Sequence, residues 1–184
     1  MSSLVVVERP SEPPARVEDI PAMEDEAAWC MQQHRVQHAT TLVSGDGRDL
    51  VCIFAAPDAE AVRTVLRTLG APWTHVWPGT VHAPPHLPPA APLAARNGAA
   101  LVVVERAFDA PTEVATVQAA EDAHAWCLEQ HRVRFLRTYC AADRRRMLCL
   151  YDAPDAEAVR RAQQQAGLPF ARAWGARLYE VSLR

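Results

Sequence analysis

Apolar positions in this chain switch between two spacings, and the whole programme of switches occurs twice. Leu4–Val7 is an apolar run closing on Glu8-Arg9, the pattern of a buried strand whose end brings a charged pair to the rim. From Met23 the spacing becomes helical, with Ala27, Cys30, Met31 and His34 on one face. His38–Ser44 and Leu50–Ala55 flank Gly45-Asp46-Gly47, which predicts a hairpin. Pro57-Asp58 opens a second helix through Val62, Val65, Leu66 and Leu69, stopped by Gly70 and Pro72. Trp73–His82 reads as a fourth strand, bent at Pro78-Gly79. The predicted order is β-α-β-β-α-β, the ferredoxin-like arrangement.

The segment Leu-Val-Val-Val-Glu-Arg at Leu4–Arg9 returns letter for letter at Leu101–Arg106. Leu4–His82 aligns with Leu101–Tyr179 without a gap, agreeing at about 33 of about 79 positions. Ala-Pro-Asp-Ala-Glu-Ala-Val-Arg at 56–63 and 153–160 is the longest shared block. The second copy is therefore expected to hold a helix over Val117–Gln130, a hairpin of Phe135–Ala141 with Met147–Tyr151, a helix over Ala156–Ala166 and a strand over Trp174–Leu183. Ala83–Pro92 is proline-rich and reads as a semi-stiff linker, with residues up to Asn97-Gly98 completing the connection. These patterns divide the chain into a first repeat at 1–82, a linker at 83–99 and a second repeat at 100–184. Two helices cover only one face of each sheet. The expected fold is α+β, two tandem ferredoxin-like units forming a single-chain pseudo-dimeric α+β barrel.

A net charge of −3 with mixed signs gives no bulk attraction to nucleic acid. The first strand also offers Val and Glu where an RNA-recognition sheet needs aromatics. All 19 Lys-plus-Arg residues are arginine, which excludes a lysine Schiff base with pyridoxal phosphate. Five cysteines, an odd number, suit a reducing compartment better than a disulfide framework. The N-terminus lacks a basic, signal-like start, and no segment approaches membrane-spanning length. A cytoplasmic protein without a membrane partner is expected.

Candidate chemistry concentrates on the first helix of each repeat. Cys30 and His34 lie four apart on one stripe; in the second repeat His124 joins Cys127 and His131. Imidazole and thiolate at that spacing can share a transition metal, with Glu105 on the adjacent strand as a ligand or as support for His131. The same cysteines serve equally as small core fillers, and the histidines as helix-end caps. Cys52 and Cys149 lie mid-strand, where core packing is the simpler role. His75 and His82 fall on the last strand of the first repeat, as rim residues. A duplicated chain relieves one copy of selection, so any site is expected to be stronger in one half. His124, Tyr139 and Cys140, facing Ala27, Leu42 and Val43, point to the second.

Val-Val-Glu-Arg on the first strand, the first-helix Cys, Thr-Tyr at 138–139, Cys-Leu-Tyr-Asp-Ala-Pro at 149–154, Glu-Ala-Val-Arg at 157–160 and Gly-Leu-Pro at 167–169 resemble the DUF4242 family. The resemblance implies a ferredoxin-like fold and, as in some members, nickel binding and dimerisation through the sheets. Members carry a His before a Ser-Tyr pair on the second strand, where this chain has Arg137 and Thr40. Many carry another in the second helix, where it has Ala162 and Val65. Either the helix Cys–His pairs have taken over as ligands or metal binding has been lost.

The expectation is a soluble metal-binding protein with Cys127, His131, Glu105 and His124 as ligands in the helix–sheet pocket of the second repeat. Thiolate with imidazole favours nickel, with copper or zinc next, over magnesium or calcium. The alternatives are a monooxygenase-like enzyme acting on a small molecule in that pocket, or a ligand-binding module without chemistry. The partners expected are a metal ion or small molecule, with the pseudo-dimer leaving room for a further homodimer.

Overall fold

The computed structural model describes residues 2–88, 93–96 and 98–181. Part of the proline-rich linker, Asn97 and the predicted strand end at Ser182-Leu183 lie outside the described residues. The fold class is the expected one: α+β, with β-α-β-β-α-β order in each repeat. The chain resolves into two compact units, one of residues 1–79 with 177–184 and one of residues 80–176.

The first repeat runs β1 (Ser3–Pro10), a single 3-10 turn (Val17–Asp19), α1 (Ile20–Gln33), β2 (Gln37–Ser44), β3 (Asp49–Ala56), α2 (Ala59–Thr68) and β4 (His75–His82). Its strands are antiparallel in the order β4-β1-β3-β2, with Val6 opposite both Ile53 and Trp77. Helix α1 starts at Ile20, earlier than its apolar spacing indicates, because Pro21 is tolerated in the first turn. It ends on Arg35, whose φ of 54° is left-handed, as Val36 N–H donates back to the Met31 carbonyl at 2.9 Å. Helix α2 is amphipathic and is capped by Asp58, whose side chain accepts from Ala61 N–H at 2.8 Å. Val62, Val65 and Leu66 from α2, with Cys30 and Met31 from α1, pack onto Val5, Val7, Leu50 and Cys52 of the sheet.

The second repeat runs β5 (Ala100–Ala107), α3 (Val114–Ala123), α4 (Ala125–Gln130), β6 (Arg134–Ala141), β7 (Arg146–Ala153), α5 (Ala156–Gln165) and β8 (Arg172–Glu180). The strand order β8-β5-β7-β6 repeats the first. Arg132 repeats the left-handed helix end at φ 56°, and Asp155 repeats the cap on Ala158 N–H at 2.8 Å. The single helix expected over Val117–Gln130 is instead two, broken at His124 (φ −120°, ψ 28°). His124 Nδ1–H donates to the Ala120 carbonyl at 2.9 Å while its backbone N–H turns to Glu121, so the side chain competes with the helical ladder.

Both copies share one irregularity of the sheet, and it decides which side chains reach the helices. The β2–β3 register shifts between His38 and Thr40, and the β6–β7 register shifts between Phe135 and Arg137. An extra residue in a strand reverses the facing of everything beyond it. His38 and Thr41 therefore oppose Phe54 and Cys52, two residues of one β3 face, and all four point at the helices. Simple alternation would have paired His38 with Thr40 instead.

Candidate ligand pocket of the first unit

The four predicted metal ligands are held by other partners. Cys127 is fully buried among Ala120, Ala166 and Leu168. His131 begins one turn beyond it, its N–H donating to the Cys127 carbonyl at 3.3 Å, and its Nε2 meets Gln165 Oε1 at 3.0 Å. His124 forms the break between α3 and α4, its ring committed to the Ala120 carbonyl. Glu105 Oε1 accepts from Trp174 Nε1 at 2.7 Å and from Arg172 Nη2 at 2.9 Å. Glu8 does the same in the first repeat, accepting from Trp77 Nε1 at 2.8 Å. The carboxylate at the strand end is thus a duplicated structural bond to a tryptophan on the next strand. Among the described residues, no three His, Cys, Asp or Glu side chains converge to hold a metal ion.

A partly open pocket lies in the first unit, between α1, α2 and the sheet, with a volume of about 340 Å³. Its wall is mostly apolar, including Ile20, Met23, Met31, Leu50, Val65 and Leu66. Polar groups converge on it from four elements: Arg9, Glu24, Glu26, His38, Thr41 and Cys52. His38 is central. Its side chain is 6 % exposed, its Nδ1 lies 3.6 Å from Glu24 Oε1, and its Nε2 lies 2.7 Å from Thr41 Oγ1. Its ring stands against Phe54 at 5.3 Å and stacks with Tyr179 at 5.9 Å. The Tyr179 hydroxyl donates to Glu24 Oε2 at 3.0 Å, and the Thr41 hydroxyl donates to Cys52 Sγ at 3.4 Å.

Burial holds the His38 pKa below the ordinary histidine value, although Glu24 pulls the other way. Burial also raises the Cys52 thiol, opposed by the Thr41 hydrogen bond and the Arg9 charge. Neutral imidazole and neutral thiol are the resting forms at neutral pH. Arg9 brings a fixed positive charge, and its buried Nε has no hydrogen-bond partner among the described residues.

The second unit shows what the same scaffold does when the space is filled. Arg106, the counterpart of Arg9, donates to Gln163 Oε1 at 2.7 Å, to Glu121 Oε1 at 3.2 Å and to the Pro169 carbonyl at 2.6 Å. The Tyr151 hydroxyl also donates to Glu121 Oε1. Arg106, Glu121, Tyr151 and Gln163 are each at most 4 % exposed. The corresponding cavity has no room for a water molecule. In the first unit Phe54 and Leu66 stand where Tyr151 and Gln163 stand, so two members of that network are absent and Arg9 faces open space. Phe135 takes the place of His38 and meets Tyr151 edge-on at 5.8 Å. The two copies differ in this space, and the open pocket is in the first, whereas the cysteine and helical-histidine pattern pointed to the second.

Sequence reasoning passed over His38, Glu24, Arg9 and Tyr179. The signal available for them was the repeat itself, through the paired differences Phe54/Tyr151, Leu66/Gln163 and His38/Phe135.

No functionally curated protein is similar to this chain in sequence. Solved structures share its fold across nearly its whole length. A candidate chlorite dismutase, TA0507, aligns at a TM-score of 0.52 with 14 % identity, covering 97 % of this chain and 95 % of that one. A variant chlorite dismutase from Candidatus Nitrospira defluvii aligns at 0.52 with 11 % identity, covering 95 % and 90 %. Another variant of that enzyme, in complex with cyanide, aligns at 0.51 with 12 % identity, covering 97 % and 90 %. At such identities the likeness is one of fold alone. One family model matches the sequence twice, over residues 6–78 and 103–174, in step with the duplication. Both copies together make up most of the chain, which therefore belongs to the family of the nickel responsive protein SCO4226-like.

Proposed function

We propose that the protein binds a small organic anion with an apolar body in the helix–sheet pocket of its first unit. The supporting observation is a built difference between two copies of one scaffold. Where the second unit closes Arg106 with Tyr151 and Gln163, the first leaves a cavity of about 340 Å³ beside Arg9. That volume lies within the range of small-molecule sites, roughly 300–1,000 Å³, and an apolar wall with a few convergent polar groups is their usual make-up. The buried Nε of Arg106 also lacks a partner, so it is the open space beside the Arg9 guanidinium, in an apolar wall, that favours a carboxylate or a similar anion.

Membership of a nickel-responsive family makes a metal the second reading. Nickel, or copper or zinc, would need a donor set that Cys127, His131, Glu105 and His124 do not form in this conformation, since each is engaged elsewhere.

The test is to convert the first pocket into the second. Phe54→Tyr with Leu66→Gln supplies the missing partners for Arg9 and fills the space. A panel of aliphatic and aromatic carboxylates should raise the melting temperature of the parent protein and leave that of the double variant unchanged. A panel without effect on either, or with equal effect on both, defeats the proposal.

A further inference from the structure

The reading of the pocket as an anion site leaves His38 unexplained, because an anion needs Arg9 but has no use for a neutral imidazole. His38 is arranged as a base. Glu24 faces Nδ1 at 3.6 Å, which orients the ring and stabilises an imidazolium once one forms. In the tautomer that carries its proton on Nδ1, toward Glu24, Nε2 accepts from the Thr41 hydroxyl at 2.7 Å, and it is released when that hydroxyl turns its single proton to Cys52 Sγ at 3.4 Å. Tyr179 holds Glu24 from behind at 3.0 Å. The titratable and charged groups sharing the pocket with His38 are Glu24 and, at the exposed rim, Glu26 from α1, Arg9 from β1 and Cys52 from β3, with Tyr179 from β8 stacked on its ring. Burial keeps the imidazole neutral at neutral pH, the form that can accept a proton.

A fixed cation and a neutral base in one apolar cavity suit an anion that carries an acidic C–H beside its charge. A 2-oxo acid has both, with the carbonyl acidifying the neighbouring carbon. We infer that the first unit catalyses keto–enol tautomerisation of 2-oxo acids with an apolar side chain, with His38 as the base. In the enolising direction the C3–H bond breaks, and its electron pair becomes the C2=C3 double bond. The proton passes to His38 Nε2. The carbonyl oxygen then takes a proton back from the same imidazolium while Arg9 holds the carboxylate. The net change is one proton moved from carbon to oxygen, with no oxidant, reductant or second substrate. His38 is the catalytic residue and Glu24 a positioning residue.

Phenylpyruvate is the probe, because its aromatic body suits the Met and Leu wall and decay of its enol is read by ultraviolet absorbance. The parent protein should accelerate ketonisation over buffer at pH 7. His38→Phe, which installs the second unit's residue, should lose about 100-fold or more of that acceleration, and His38→Gln should lose the same. Glu24→Gln should move the acidic limb of the kcat/KM profile to lower pH, since the carboxylate raises the His38 pKa. Equal rates in the parent and both His38 variants overturn the inference. Phenylpyruvate raising the melting temperature of the parent without any acceleration also overturns it, and leaves the pocket reading standing. Neither stabilisation nor acceleration removes both for this class of anion.

Discussion

The ring of Tyr179, in the last strand, lies 12° from parallel to that of His38, and its hydroxyl donates to the Glu24 carboxylate that faces the same imidazole. One side chain thus contacts both halves of the Glu–His pair. The two contacts separate by substitution. Tyr179→Phe keeps the stack and removes the hydrogen bond, at a cost of about 0.5–1.5 kcal/mol. Tyr179→Ala removes both and should cost roughly 2–3 kcal/mol, given that the ring is only partly buried. Urea unfolding of the two variants decides the order, and a larger loss in the phenylalanine form would reverse it.

Acid should weaken the fold through His38. Its folded pKa is depressed by burial, so the unfolded chain binds the proton more readily. The stability that depends on neutral His38 is present above the unfolded value of about 6.5 and is lost as pH falls through the folded one. His38→Phe should flatten this part of the profile. Urea midpoints measured between pH 7.5 and 5 for both proteins are the check; parallel curves would show that another group carries the dependence.

In the second unit Arg106 and Glu121 form a buried pair tied to Tyr151 and Gln163. Removing one charge strands the other. Arg106→Met should destabilise by roughly 3–5 kcal/mol. Glu121→Gln should cost less, because burial already raises the Glu121 pKa and favours its neutral form. Chemical denaturation of the two variants orders them. Equal losses would mean that the network is held by packing rather than by charge.

Nickel can be tested against the residues that the sequence pattern offers as its ligands. Cys127→Ser combined with His131→Ala should leave any nickel affinity of untagged protein within about threefold of the parent, because Cys127 packs among apolar residues and His131 bonds Gln165. Calorimetric titration reads this directly. A loss of tenfold or more would return the metal to the α4 helix.

The architecture was legible because it is written twice. A gapless repeat with turn glycines, capping aspartates and alternating strands at matched positions leaves little freedom for the order of elements. The break at His124 was not legible, since periodicity reports which face a residue occupies and not whether its side chain will take a carbonyl from the helix. The pocket escaped for a related reason. Glu24, His38 and Tyr179 are brought together by tertiary structure, and the facing of His38 depends on a bulge that alternation does not announce. Five buried, free cysteines drew attention instead, and they sit mainly where small apolar side chains would.

That bulge has an evolutionary corollary. It is present after His38 and after Phe135, so it was in place before the copies diverged. Thr138 already sits beyond it, donating to Cys149 at 3.2 Å just as Thr41 donates to Cys52. The ancestral strand thus carried a fixed phase slip that makes one residue and the third after it neighbours on the inner face. Each copy has since written its own pair of side chains into that inherited frame. In the first unit that frame borders an open pocket, and in the second it is closed by a buried polar network, so one inherited slip serves two different interiors.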